Sequence, residues 1–190
     1  MVEFSKYGGT DHLRIIGVAG RAGAGKDTFY EHVLQPRGFI RWQMTLHYKV
    51  WLAATGRYRW EHIFYHKPPV VRQVLQEEIT AFRDLHGEPI WLHTFQAWLL
   101  ALTEIVGVEH AGIAITDLRF LIEMRGLRAM GGKILHLEAP DQQANVAPQL
   151  RGHRSETELD SPEGLEFRDA YPQHPPLSMA TRLRAARDLP

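Results

Sequence analysis

Short apolar runs punctuate this chain, and longer stretches with a different rhythm separate them. Leu13 to Val18 and Ala111 to Thr116 are continuously apolar, while Phe39 to Gln43 and Lys133 to Glu138 are shorter and more mixed. Runs of this length predict strands, and the continuous ones predict strands covered on both faces, as in a parallel sheet. Between them the period changes. From Val70 to His86, apolar Val71, Val74, Leu75, Ile79 and Phe82 recur every third or fourth position, which predicts an amphipathic helix. Gly87-Glu88-Pro89 ends it. From Ile90 to Val108, Trp91, Phe95, Trp98, Leu99 and Leu102 keep helical spacing, with His93, Gln96 and Glu104 among them. Those polar residues suit a buried core helix and argue against a membrane span.

Shorter helices are predicted from Phe29 to Leu34, broken by Pro36-Arg37-Gly38, from Leu46 to Ala54, and from Arg119 to Met130, stopped by Gly131-Gly132. Thr55 to Pro69 reads as aromatic, basic and irregular, and Pro140 to Arg154 as a polar loop. Beyond Pro162 the chain is rich in proline, with a short helix predicted from Ser178 to Arg187. Strands alternating with helices predict a three-layer α/β fold around a parallel sheet. We expect one domain over residues 1–190: a core of about 13–45 and 108–190, a helical segment of about 46–107, and a lid of about 141–156.

The join between the first strand and the first helix changes the picture. It reads Gly20-Arg21-Ala22-Gly23-Ala24-Gly25-Lys26-Asp27-Thr28, with four residues between Gly20 and Gly25-Lys26. Strand, glycine-rich loop, lysine and helix at this spacing make a phosphate-binding P-loop. Glycines let backbone N–H groups turn inward around a phosphate, and the helix directs its positive end at the same anion. Lys26 then reaches the outer phosphates. A tight glycine turn alone would not call for the lysine. Asp27 departs from the usual pattern, because Ser or Thr normally meets Mg²⁺ there, and Thr28 follows one position later. Gly20, Ala22, Gly23, Ala24, Gly25, Lys26, Asp27 and Thr28 are therefore the candidate nucleotide-phosphate contacts.

Charge and composition narrow the class. The chain has 190 residues, 44% of them hydrophobic, enough for a sizeable core. Lys plus Arg equals Asp plus Glu at 22 each, which weighs against a general nucleic-acid binder. The absence of cysteine excludes thiolate chemistry and disulfides and suits a reducing cytoplasm. Lys6, Asp11 and Arg14 interrupt any apolar run that would read as a secretory signal.

Further groups carry candidate chemistry. Arg72, Gln76, Thr80 and Arg83 recur along one face of the predicted Val70 helix. Arginines suit a phosphate dianion and glutamine the edge of a base, whereas a plain solvated face would carry the same spacing. Asp117 and Arg119 follow a strand, where ligands of α/β sheets gather. Asp117 there holds Mg²⁺ or its waters, or else simply caps the next helix. Arg151-Gly152-His153-Arg154-Ser155-Glu156 combines two arginines, a glycine hinge and a helix start at Ser155 or Thr157, as in a lid or an ordinary basic turn. His62 and His66 have i,i+4 spacing without a third metal ligand in the sequence pattern.

Taken in order, these segments resemble the deoxynucleoside monophosphate kinases of bacteriophages. "GAGKDT" is similar to that family's P-loop, which commonly carries aspartate after the lysine. "HKPPVVRQVLQEEITAFR" resembles its acceptor-binding helix, with Ile79 for an expected glycine. "ITDLRFLIEMRGLRAMGG" resembles its "DVRF" unit, with Leu118 for valine and Ile122 for asparagine. "HRSETEL" matches its "HxSE" lid element. The resemblance runs from about Leu13 to Leu159. It implies a P-loop kinase fold and transfer of the γ-phosphoryl group of ATP, with Mg²⁺, to a deoxynucleoside 5′-monophosphate. It further implies that Lys67, Arg72, Gln76, Thr80, Arg83 and Glu156 serve the acceptor. Lys26, Asp117, Arg119, Arg151 and Arg154 would surround the moving phosphoryl group, and Asp27 and Asp117 would serve the metal. A host cytoplasm follows from the same resemblance, no membrane and no stable nucleic-acid partner are expected from the hydropathy and charge above, and a homodimer stays open. A P-loop kinase of another phosphorylated metabolite, of the dephospho-coenzyme A or phosphomevalonate type, and a P-loop NTPase acting on nucleic acid are the alternatives.

Overall fold

The computed structural model describes residues 14–20, 24–106, 112–137, 154–158 and 161. Four parallel strands form one sheet in the order β2-β3-β1-β4. They are β1 (Arg14–Ala19), β2 (Phe39–Trp42), β3 (Gly112–Leu118) and β4 (Lys133–His136). β1 lies between β3 and β4, and β2 pairs with the outer side of β3. The helices are α1 (Lys26–Phe29), α2 (Leu46–Ala54), α3 (Trp60–Phe64), α4 (Pro69–His86), α5 (Ile90–Ala101), α6 (Leu121–Ala129) and α7 (Arg154–Thr157).

Alternation along the strands explains why both faces are covered. Ile15, Ala19, Ile113, Ile115 and Leu118 pack with Trp91, Phe95 and Leu99 of α5 and Leu121, Met124 and Leu127 of α6. Ile16, Val18 and Ala114 point the other way, onto Phe29, Tyr30, Val33 and Leu34. This is the α/β layering that the continuously apolar strands require. A third apolar cluster, Leu52, Ile63, Val71 and Leu75, joins α2, α3 and α4 away from the sheet.

Several boundaries differ from expectation. The first helix is one α-turn, followed by a π-helical turn over Tyr30–Leu34 and a tight turn over Gln35–Arg37 that Gly38 closes at φ 78°. α5 likewise gives way to a π-helical turn at Leu102–Val106. The segment read as irregular contains α3, in which Trp60 and Phe64 bring their ring centres to 4.2 Å. α6 begins at Leu121, two residues later than Arg119. β3 continues through Asp117 to Leu118. Leu13, Ala22, Gly23, Arg151, most of the expected lid and the expected C-terminal helix lie outside the described residues, as do the side chains of Ser155 and Glu156.

Candidate phosphate site

The chain leaves β1 through the Phe29–Leu34 segment on one face of the sheet and leaves β3 through α6 on the opposite face. β1 and β3 are neighbours, so their following loops part and leave a crevice at the carboxyl edge. That is the switch point where open α/β sheets bind ligands. A bulge marks the same place. Gly17 pairs with Ile115 and Ala19 with Leu118, so β3 carries one more residue than β1 across this step. A bulge re-aims side chains next to the ladder. Here Ile115 and Leu118 both enter the core, while Asp117 faces the crevice side chains.

The glycine-rich loop begins and ends with backbone that favours glycine. Gly20 has φ 140°, and a Cβ there would stand 2.5 Å from the Leu137 carbonyl oxygen. Gly25 is left-handed at φ 81° and caps α1. Lys26 turns back across this loop and its Nζ donates to Gly20 O at 2.5 Å. It is 9% exposed. Burial, with help from the Arg119 charge, brings its ammonium down to about 7, against the pull of Asp27 and Asp117. An ammonium held this far below its ordinary range needs an anion to be fully charged at neutral pH.

Asp117 is held from two sides. Its Oδ1 accepts from Met44 N at 2.9 Å, and its Oδ2 lies 3.6 Å from Lys49 Nζ. It does not cap α6, a role taken by Phe120 and Glu123. Lys49 is buried and also donates to Gln43 Oε1 at 2.6 Å. Burial lowers its ammonium, as do Arg119 and Arg41, against Asp117. Lys67 is lowered to about 8, first by burial and then by Lys49. Burial also lowers Arg119, whose charge feels Asp117, Glu123 and Arg72. Arg41 donates through Nε to Thr116 Oγ1 at 3.1 Å and through Nη2 to the Asp27 carboxylate.

Lys26, Arg41, Lys49, Lys67, Arg72 and Arg119 thus act on one another around Asp27 and Asp117. Cations outnumber carboxylates, and several are desolvated. Such a cluster is poised for a polyanion. Among the described residues no group of three or more His, Asp or Glu could hold a metal by itself. Mg²⁺ is ordinarily held by one or two carboxylates together with substrate phosphates, and Asp27 and Asp117, both acting on Lys26, fit that pattern.

The expected acceptor residues divide. Arg72 acts on Lys67 and Arg119 at the crevice. Arg83, eleven positions on and about 16 Å along the helix, lies instead against α6. It is 4% exposed, its Nη2 is 3.3 Å from Glu123 Oε1, and its guanidinium stands 3.5 Å from the Phe120 ring centre. Gln76 and Thr80 are half-buried between them. Arg154 bonds Glu88 and, at 2.6 Å, Glu158, whose other oxygen accepts from Leu121 N. Ala24 is buried in the core under the loop, and Thr28 is half-buried.

Lys49 and Arg41 were not expected from the sequence. The signal was present for Lys49: it stands three residues before Leu52, the other buried residue of α2. A lysine on the buried face of a helix needs a partner. No family model matches the chain, and no curated protein matches it.

Proposed function

We propose that this protein is an ATP-dependent kinase that transfers the γ-phosphoryl group of ATP to a deoxynucleoside 5′-monophosphate, giving the diphosphate and ADP. The observation that carries the reading is the meeting of desolvated Lys26, Lys49 and Lys67 with Arg72 and Arg119 at the carboxyl edge of β1 and β3. Phosphoryl transfer asks a protein for positioning and for charge around the moving group, with little covalent chemistry.

In this reading Gly20, Gly25 and Thr28 hold the ATP phosphates, and Lys26 exchanges Gly20 O for a phosphate oxygen. Lys67 and Arg72 take the acceptor phosphate from the side of α4. Arg119 meets the transferring group, and Lys49 keeps Asp117 in place. Asp27 and Asp117 would hold Mg²⁺ with the phosphates, and the cation would neutralise charge on the β- and γ-oxygens. Arg151 and Arg154 would close over ATP. A cytoplasmic, phage-derived role in dNTP supply belongs to the same proposal.

The test is a coupled ADP-release assay with dTMP, dGMP, dCMP, dAMP and their ribose forms. We expect at least one deoxynucleotide to accelerate ADP release far above the rate without acceptor. Acceleration by dephospho-coenzyme A or phosphomevalonate alone would move the chain to another class of P-loop kinase. ADP release that no acceptor changes would remove the kinase reading.

A further inference from the structure

We propose that Glu123 is a positioning residue of the phosphate site, which fixes the backbone leaving β3 and thereby the direction in which Arg119 meets the transferring group. Its chemistry rests on the kinase reading above, while its geometry stands on contacts of its own. Glu123 lies in the first turn of α6 and is 4% exposed. Its Oε2 accepts from the backbone N–H groups of Arg119 at 3.2 Å and Phe120 at 3.3 Å, the two residues that follow the strand. Its Oε1 faces Arg83 Nη2 at 3.3 Å. One carboxylate therefore ties the end of β3, the start of α6 and the far half of α4 together.

Arg119 is held on both sides as a result. Two residues before it, Asp117 is fixed by Met44 N and Lys49. At Arg119 itself and one residue beyond, Glu123 holds the amides. A helix cap alone would ask only for an acceptor, and Asp, Asn or Ser supplies one from a solvated position. Burying a carboxylate against a buried arginine is costly unless the geometry is kept. Here the arginine is further fixed by the Phe120 ring, so the pair holds α4 against the segment that carries Arg119.

The arrangement depends on Glu123 being ionised. Protonated, it must donate one hydrogen and cannot serve two amides and Arg83 alike. The charged groups around it are Arg83 from α4, Asp117 from β3 and the Arg119 guanidinium, with the Arg119 and Phe120 amides on its own segment. Glu88, Arg154 and Glu158 stand beyond Arg83. Burial lifts the carboxyl to about 7, against the attraction of Arg83, so the contact has two protonation states near neutrality.

The experiment combines pH–rate profiles from pH 5.5 to 9 with amide exchange at Arg119 and Phe120, corrected for the intrinsic pH dependence of exchange. In the wild type we expect kcat to fall on the acid side and both amides to lose protection in the same range. Glu123→Gln should lose this acid limb and run at about a tenth of the wild-type plateau, with KM for ATP within about twofold. Arg83→Gln, which removes the cation but keeps the carboxylate, should move the limb to higher pH. A Glu123→Gln variant that keeps the wild-type rate and acid limb overturns the proposal, as does one that loses only melting temperature. Where neither variant folds, wild-type amides whose protection does not change between pH 6 and 8 overturn it. A wild type that phosphorylates no acceptor sinks the kinase reading separately. The amide exchange still decides whether Glu123 fixes this backbone, and unchanged protection then counts against it equally.

Discussion

The Lys49 ammonium lies 3.6 Å from the Asp117 carboxylate, joining the first turn of α2 to the end of β3. The lysine is 9% exposed and the aspartate 24%. The pair therefore opens toward solvent on the aspartate side, where a ligand would approach. Lys49→Met should lower ADP release about 10²-fold, the scale for one lost electrostatic contact. It should destabilise by less than the 3–5 kcal/mol or so of a fully buried pair, because water still reaches Asp117. Steady-state kinetics and a melt of the same preparation check both, and unchanged kinetics would leave Lys49 with a structural role alone.

Lys26→Ala should abolish turnover, with a loss of about 10²-fold or more, and should not lower the melting temperature without nucleotide. The lysine is desolvated and its ammonium sits near 7, so the empty site gains little from its charge. The variant should also lose most of the thermal stabilisation that an ATP analogue gives the wild type. Near-normal kinetics in a folded variant would take the glycine-rich loop out of the mechanism.

Stability without ligand should rise with pH above 7. Lys26 and Lys67 have folded values of about 7 and about 8 against an ordinary 10.5. Between those values and 10.5 the unfolded chain binds the proton and the folded chain does not. The slope is therefore positive, up to about 1.4 kcal/mol per pH unit for each such lysine. Glu123 acts in the other window. Its folded value of about 7 exceeds the ordinary 4.5, so its contribution falls as pH rises from 4.5 to 7. Denaturant melts at pH 7, 8 and 9 read the lysine term, and a flat or falling midpoint contradicts it. An ATP analogue should flatten the rise by recharging the lysines.

Asp27→Ala should raise the Mg²⁺ concentration needed for half-maximal activity. Asp27 is 70% exposed on its side chain and pairs with Arg41, an exposed pair worth about 0–1 kcal/mol. The melt should therefore barely move. A magnesium titration at fixed ATP that superimposes on wild type would leave Asp27 as an Arg41 partner only.

Gly126→Ala should destabilise although alanine is the better helix former by about 1 kcal/mol. A Cβ at Gly126 would stand 2.1 Å from Leu92 Cδ2 and 2.9 Å from its Cγ. Overpacking of this kind costs about 1–3 kcal/mol, which outweighs the propensity gain. Adding Leu92→Ala should make the two changes less than additive. A more stable Gly126→Ala single variant would show that α5 and α6 can part without penalty.

Periodicity was enough for the elements that bury one continuous face. α2 and α4 occupy the predicted ground because Val71 and Leu75, and Leu52 below them, pack in one cluster. It was not enough for α3, whose five residues are too few to show a period. Nor does hydrophobic pattern register a bulge, so Asp117 was expected beyond β3 when it lies within it. The late start of α6 has a cause outside helix propensity: Glu123 takes the amides of Arg119 and Phe120. Arg72 and Arg83 share helical spacing, yet only the packing of α6 decides that Arg83 meets Glu123. Of the crevice, Lys26, Asp117 and Arg119 were legible from loop and strand-end position, but Arg41 and Lys49 meet them only through the strand order.

The extra residue in β3 separates activity from foldedness by a single deletion. Gly17 to Ala19 spans two steps on β1, whereas Ile115 to Leu118 spans three on β3. A chain lacking only Asp117 would restore equal steps and leave Leu118 in phase with Ile115 in the core. Such a deletion should yield a folded, inert protein.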